Sequence, residues 1–197
     1  MPSTAEGSGN TRYQPPEVRR RQILSAAAQL ATTDGLEATS IAKVAETAGV
    51  AKGSIYLHFA SRDDLVDALQ AQVWAQMMET PRVIAVDANL LWAERLDAVV
   101  AHWMRYEFDH HDLYHAVFHA VATDSEEPWH EARALLGQLV AGGVAAGEFD
   151  CDQIGTETVV EFLLHGYAGP CYHHAEIDTV IGDMQQLFRR SVGARPA

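Results

Sequence analysis

Residues 48–59 read AGVAKGSIYLHF, a short, largely apolar stretch that carries a lysine, a glycine, a serine, a tyrosine and a histidine. On a helix at about 100° per residue, taking Ala51 as zero, Ile55 falls near 40° and Phe59 near 80°, so these three share an inward face. Gly53 at about 200° and Leu57 at about 240° point the other way, with Ser54 and Tyr56 flanking them and Lys52 opening the helix. That outer set has a definite chemistry. Gly53 lets backbone approach a duplex closely, Ser54 and Lys52 can hydrogen-bond base edges or phosphates, and Leu57 can touch a thymine methyl. Tyr56 and His58 are placed to donate to phosphates, which positions a helix without reading sequence. Ser40 and Arg62, at the starts of the neighbouring helices, can anchor the backbone on either side.

Charge distribution supports this despite a net charge of −13 over 197 residues. From Arg12 to Arg62 seven basic residues face four acidic ones, a balance of +3, whereas from Asp63 onward seven basic residues face 22 acidic ones, a balance of −15. A basic N-terminal module on an acidic body is an expected footprint of a nucleic-acid partner. With 48% hydrophobic and 21% charged residues the chain reads as globular. No apolar run reaches the roughly 20 residues of a bilayer crossing, and no signal peptide is evident, so a cytoplasmic protein without a membrane partner is expected. Two cysteines, Cys151 and Cys171, make no disulfide framework.

The elements that must hold these residues follow from caps and periodicity. Residues 1–14 have the composition of a disordered tail. Pro15-Pro16 starts a helix with Ile23, Ala27, Leu30 and Ala31 on one face, and Gly35 is placed to end it. Ser40 caps a second helix over 41–47, Gly49 makes the turn, and a third helix spans 52–58. Ser61 caps a long fourth helix, with Asp64 at the capping-box position. Beyond Thr80-Pro81 the periodicity predicts helices over 89–108, 112–121, 128–146, 153–167 and 177–191, with Gly142-Gly143, Gly147 and Gly169-Pro170 as breaks or ends. The expected fold is all-α: a tail (1–14), a three-helix helix-turn-helix head (15–62) and a larger helical body (63–197), to which the resemblance described next adds effector binding and dimerisation.

The run SIAKVAETAGVAKGSIYLHFASRDDL resembles the DNA-binding head of the tetracycline-repressor (TetR) family. The matching features are Ala48-Gly49-Val50 ending the second helix, Tyr56-Leu57-His58-Phe59 ending the third, and Ser61-Arg62-Asp63-Asp64-Leu65 opening the fourth. Ala51, Ala60 and Arg62 stand where that family commonly has a capping serine or threonine, a lysine and a lysine. The resemblance covers about the first third of the chain and implies a homodimer on a palindromic double-stranded operator, usually a repressor, released by a small ligand in the body. Two recognition helices would then sit about 34–36 Å apart, and a ligand that changes that spacing favours the unbound state. By the same analogy the last two helices form the dimer face, with Val159, Phe162, Leu163, Ile177, Ile181, Met184 and Leu187 or Phe188.

The body leaves two ligand chemistries open. Trp74, His102, Trp103, Phe118, His119, Phe162, His165 and Tyr167 supply the aromatic wall and polar anchors of an organic-ligand pocket. His111, His115 and His119, at i, i+4 and i+8, share a helix face with the spacing of ligands for a divalent transition metal, and His165, Cys171, His173 and His174 follow. This alternative is a metal-responsive regulator, or a His-rich metal-binding protein without a DNA function; no cofactor is firmly expected. No HExxH, GxSxG or Gly-rich phosphate loop is present, and no enzymatic activity is expected.

Overall fold

The computed structural model describes residues 15–118, 127–151, 154–166 and 176–194. Among the described residues the regular structure is helical throughout: α1 (Pro16–Asp34), α2 (Ile41–Thr47), α3 (Lys52–Tyr56), α4 (Arg62–Ala85), α5 (Trp92–Asp109), α6 (His111–Phe118), α7 (Glu127–Ala145), α8 (Thr156–Gly166) and α9 (Ile177–Ser191). The all-α class expected from periodicity is the observed one. The chain divides into two compact units, Met1–Val66 and Asp67–Ala197.

In the first unit, α1 opens on Pro16, whose missing N–H costs nothing at a helix start. It ends at Gly35, whose φ of 82° is the left-handed region that favours glycine. Ser40 caps α2, its Oγ accepting from the Lys43 N–H at 3.3 Å. Gly49, with φ of 65°, turns the chain toward α3. α1 packs on α2 and α2 on α3, and Ile23, Leu24, Ala27 and Ala31 of α1, Val44 and Ala45 of α2, Ile55 of α3, Phe59 and Leu65 are all buried. The Arg20 guanidinium lies 4.7 Å over the Phe59 ring. α3 ends at Tyr56, two residues before the expected His58, because the His58 N–H turns back to the Ile55 carbonyl at 2.9 Å. That tight three-residue closure swings Phe59 into the core. Ser61 Oγ accepts from the Asp64 N–H at 3.0 Å, while the Asp64 carboxylate accepts from Ala60 N–H rather than from Ser61 N–H.

In the second unit α5 packs on α9 and α7, and α7 on α8. Cross-helix ion pairs reinforce both: Arg105–Asp178 at 2.8 Å and Arg189–Asp97 tie α5 to α9, and Arg133–Glu161 at 2.5 Å ties α7 to α8. Gly142-Gly143, expected to break the chain, lies inside α7 instead. A Cβ on Gly142 would enter the Trp92 ring, and one on Gly143 the Phe149 ring. The pair therefore makes room for two aromatics on the helix rather than ending it, and α7 stops before Gly147, whose φ is 73°. α4 likewise continues through Pro81. Proline has no N–H to give the Met77 carbonyl, so the helix passes this point with one bond of its ladder missing. Arg95, buried, donates to the carbonyls of Leu90 (3.1 Å) and Ala85 (3.3 Å) and stacks 4.2 Å from the Trp92 ring, closing the α4–α5 connection. α5 begins at Trp92, α6 at His111 and α8 at Thr156, each shifted by one to three residues from the periodicity. No helix among the described residues is long and apolar enough to cross a membrane.

Candidate nucleic-acid interface

The two faces of α3 differ as the helical wheel requires. Ile55 is wholly buried, whereas Tyr56 is 49% and Leu57 83% exposed. Leu57 takes no part in the core, and its meaning lies in the neighbours it shares on this face rather than in its exposure alone. Lys52 and Gly53 are also exposed, and Ser54 and His58 are half-buried at the edges. His58 rests against Phe59, ring centroids 6.5 Å apart.

Gly53 is informative because nothing within the chain demands it. Its φ is not positive, and a Cβ built there meets no heavy atom within 4 Å. A glycine inside a helix costs roughly 0.5–1 kcal/mol relative to alanine. Here neither a backbone conformation nor a close internal neighbour recovers that cost.

Around α3, side-chain bonds fix the frame. Gln22 of α1 donates to the Ala48 carbonyl at 2.6 Å, holding the turn before α3, and Arg19 donates to Gln22 at 2.9 Å. Lys43 pairs with Asp34 at 2.9 Å, and this ion pair holds the Asp34 carboxyl below its ordinary range. Ser40 is exposed, its O–H free to donate while Oγ caps α2. Arg62, expected on the DNA backbone, makes bonds within the chain: Nε donates to the Thr39 carbonyl at 2.8 Å and Nη2 to the Leu36 carbonyl at 2.6 Å. Its Nη1 lies 3.5 Å from the Asp63 carboxylate. Spacing alone showed where Arg62 sits but not that these two carbonyls lie within reach.

The body residues expected around a ligand separate into three groups. Trp74 and Phe118 do come together, ring centroids 6.2 Å apart and nearly perpendicular, and Trp129 joins Trp74 at 5.7 Å. Glu131 and Arg82 join these rings without any signal in the sequence pattern. Trp74 donates to Glu131 at 2.9 Å, and Arg82 binds the same carboxylate through two nitrogens, at 2.6 and 2.9 Å. The Arg82 bonds, chiefly, hold the Glu131 carboxyl below its ordinary range. His102 lies instead beside Tyr106 at 6.3 Å, and Tyr106 O–H reaches the Val73 carbonyl at 3.3 Å. Burial pushes the His102 imidazole below its usual range, with the Met77 carbonyl opposing, and Nε2 is buried with no hydrogen-bond partner. Trp103 is buried in the core. Phe162 and His165, expected as pocket lining, stand exposed on α8, where His165 lies 3.5 Å from Glu161. His119 and Tyr167 lie outside the described residues.

Among the described residues no group of three His, Cys, Asp or Glu is arranged to hold a metal. His111 and His115 are neighbours on α6 with ring centroids 5.8 Å apart. His119, Cys171, His173 and His174 lie outside the described residues. Of the apolar stripe assigned to a dimer face, Val159, Leu163, Ile181, Met184 and Phe188 are buried within the chain. Phe162 and Leu187 remain half-exposed.

Residues 23–69 match the family of bacterial regulatory proteins of the tetR type. The HTH-type transcriptional repressor KstR2 of Mycobacterium tuberculosis is 43% identical over 51 residues, 26% of each chain, so that match spans about a quarter of the relative's length. KstR2 of Rhodococcus jostii is 28% identical over 152 residues, 74% of each chain. Among solved structures, the transcriptional regulator FadR from Bacillus subtilis, in complex with stearoyl-CoA, superposes with a TM-score of 0.76 at 17% identity, covering 87% of this chain and 98% of that one. The sequence match lies in the head, where residues 23–69 are similar to bacterial regulatory proteins of the tetR family, and the likeness over the body is one of fold.

Proposed function

We propose that this protein is a DNA-binding transcriptional regulator, a repressor that binds a palindromic operator as a homodimer and leaves it when a small ligand occupies the body. The observation that carries the proposal is the outer face of α3, where an exposed leucine and a glycine without internal purpose stand beside Lys52, Ser54 and Tyr56. Leu57 and Ser54 read base edges, while Ser40, Lys52, Tyr56 and His58 hold phosphates. Residues 15–62 form the DNA-binding part and residues 63–197 the effector-binding and dimerising part, in the cytoplasm where the operator is. Phe162 and Leu187, half-exposed on α8 and α9, supply the apolar centre of the dimer face.

For the effector we favour a fatty acyl-CoA thioester. The Bacillus subtilis neighbour binds stearoyl-CoA, and the Trp74–Phe118–Trp129 cluster offers the apolar, aromatic surroundings that an acyl chain prefers. A metal effector has no such support.

The test is selection of a duplex from a random-sequence pool by the full chain, followed by titration with the wild type and with Lys52→Ala/Tyr56→Ala. The proposal expects enrichment of an inverted repeat, loss of affinity of about tenfold or more in the double variant, and release of the wild type by stearoyl-CoA but not by free CoA. Enrichment of nothing would remove the DNA reading. No release by stearoyl-CoA, or equal release by free CoA, would remove the effector class alone.

A further inference from the structure

An arginine at the start of α4, in a head thought to bind DNA, invites assignment to a phosphate. The geometry points to a different role: we infer that Arg62 is a positioning residue that clasps the α1–α2 connection and thereby sets Ser40 and α2 against the operator. The inference rests on the DNA-binding reading above and deepens it.

Arg62 Nε–H and Nη2–H diverge onto two carbonyls three residues apart, Thr39 at 2.8 Å and Leu36 at 2.6 Å. The rigid, planar fork of a guanidinium suits two acceptors at once, whereas a lysine ammonium is a single point donor. The segment it grips has few other fastenings. Thr39 O–H donates to the Gly35 carbonyl at 3.1 Å and Thr39 N–H to Leu36 at 3.1 Å, so the turn is bonded chiefly to itself. Leu36 and Thr39 are buried, and Arg62 is the side chain from a different helix that holds their carbonyls. Ser40 follows Thr39 directly, and its Oγ caps α2. Anything that moves the first residue of α4 therefore pulls on the residue that begins α2. A guanidinium already holding two carbonyls, with Asp63 3.5 Å from its remaining nitrogen, is poorly placed to neutralise a phosphate.

The two roles separate in the full chain with Arg62→Lys and Arg62→Ala. A phosphate contact depends on charge: the lysine variant would bind like the wild type, and the alanine variant would lose about 0.9 from the slope of log affinity against log salt. A clasp depends on the fork. Both variants then lose affinity for the wild-type-selected duplex by about tenfold, per folded molecule, with an unchanged salt slope. Amide exchange over residues 36–44 of the DNA-free protein also accelerates in both variants, while α7 and α8 keep their protection. Wild-type binding by Arg62→Lys, a reduced slope in Arg62→Ala, or unchanged exchange over 36–44 would each overturn the clasp. If no duplex is enriched by the wild type, the DNA reading fails on its own, and the exchange measurement still decides whether Arg62 holds the turn.

Discussion

The head and the body differ in which polar residues they bury: among the described residues the head buries the uncharged Thr39, whose O–H bonds the Gly35 carbonyl, whereas the body buries charged side chains. In the head, Ser40, Lys52 and Tyr56 stand at the surface around a core of aliphatic residues and Phe59. In the body, Glu107 and Arg95 are buried and His102 Nε2 is enclosed. Burying polar groups costs free energy unless they are satisfied. The head's polar residues thus leave it stable and free to meet a partner outside, whereas the body accepts an interior whose cost must be met by specific bonds. A surface that reads DNA needs exposed donors on a firm frame; a body that responds to a ligand needs an interior that can be biased.

Phe59→Ala attacks the firm frame and should have the largest effect on stability, about 3–5 kcal/mol off the head, read by urea denaturation. Leu57→Ala, two residues away but on the other face, should leave stability within about 0.5 kcal/mol and weaken duplex binding by about 1–3 kcal/mol. If the two variants behaved alike, the two faces of α3 would not be distinct.

Arg95→Met sharpens the body's side of the contrast. It keeps an unbranched apolar stem but abandons the carbonyls of Ala85 and Leu90, and should cost the body about 2 kcal/mol. A shift in melting temperature confined to the body's transition would confirm it; no shift would show that the α4–α5 connection holds without its arginine.

A smaller effect is expected from His102. Burial lowers its folded-state pKa below the ordinary value of 6.5, so near that pH the unfolded chain binds more protons than the folded one. The stabilisation is present above about pH 6.5 and is lost as pH falls through the lowered folded value. Melting temperatures of the wild type should therefore decline on acidification from about pH 7.5 to about pH 5 more steeply than those of His102→Gln. Equal slopes would mean that the ring titrates as it does in the unfolded chain.

The head was legible in the sequence because its signals are local. Ser40 and Ser61 each cap a helix by accepting from the N–H three residues ahead, Gly35 and Gly49 have the positive φ that only their type accepts readily, and α3's faces follow from a 100° repeat. Gly142-Gly143 misled because a glycine pair signals either a break or a close approach, and the rings of Trp92 and Phe149 that decide the matter arrive from other elements. The bonds of Arg62 were hidden for the same reason: its type and place agree with a phosphate contact, and only the fold brings the Leu36 and Thr39 carbonyls within reach of its guanidinium. Phe162 and Leu163 are adjacent apolar residues on α8 with opposite fates, one exposed and one buried, which composition cannot distinguish. Phe162→Glu and Leu187→Glu test the outcome: each should weaken self-association in sedimentation about tenfold or more, with little change in the melting of the monomer.

Gly53 gives the most direct test of the central claim, that the outer face of α3 exists for DNA. Alanine fits the space and the backbone at this position, so Gly53→Ala should stabilise the head by roughly 0.5–1 kcal/mol while weakening the selected duplex, because the added methyl keeps the helix from the groove. Opposite signs for stability and affinity, measured on one preparation by thermal melting and duplex titration, are the predicted result. A variant that is more stable and binds DNA as well as the wild type would contradict the account.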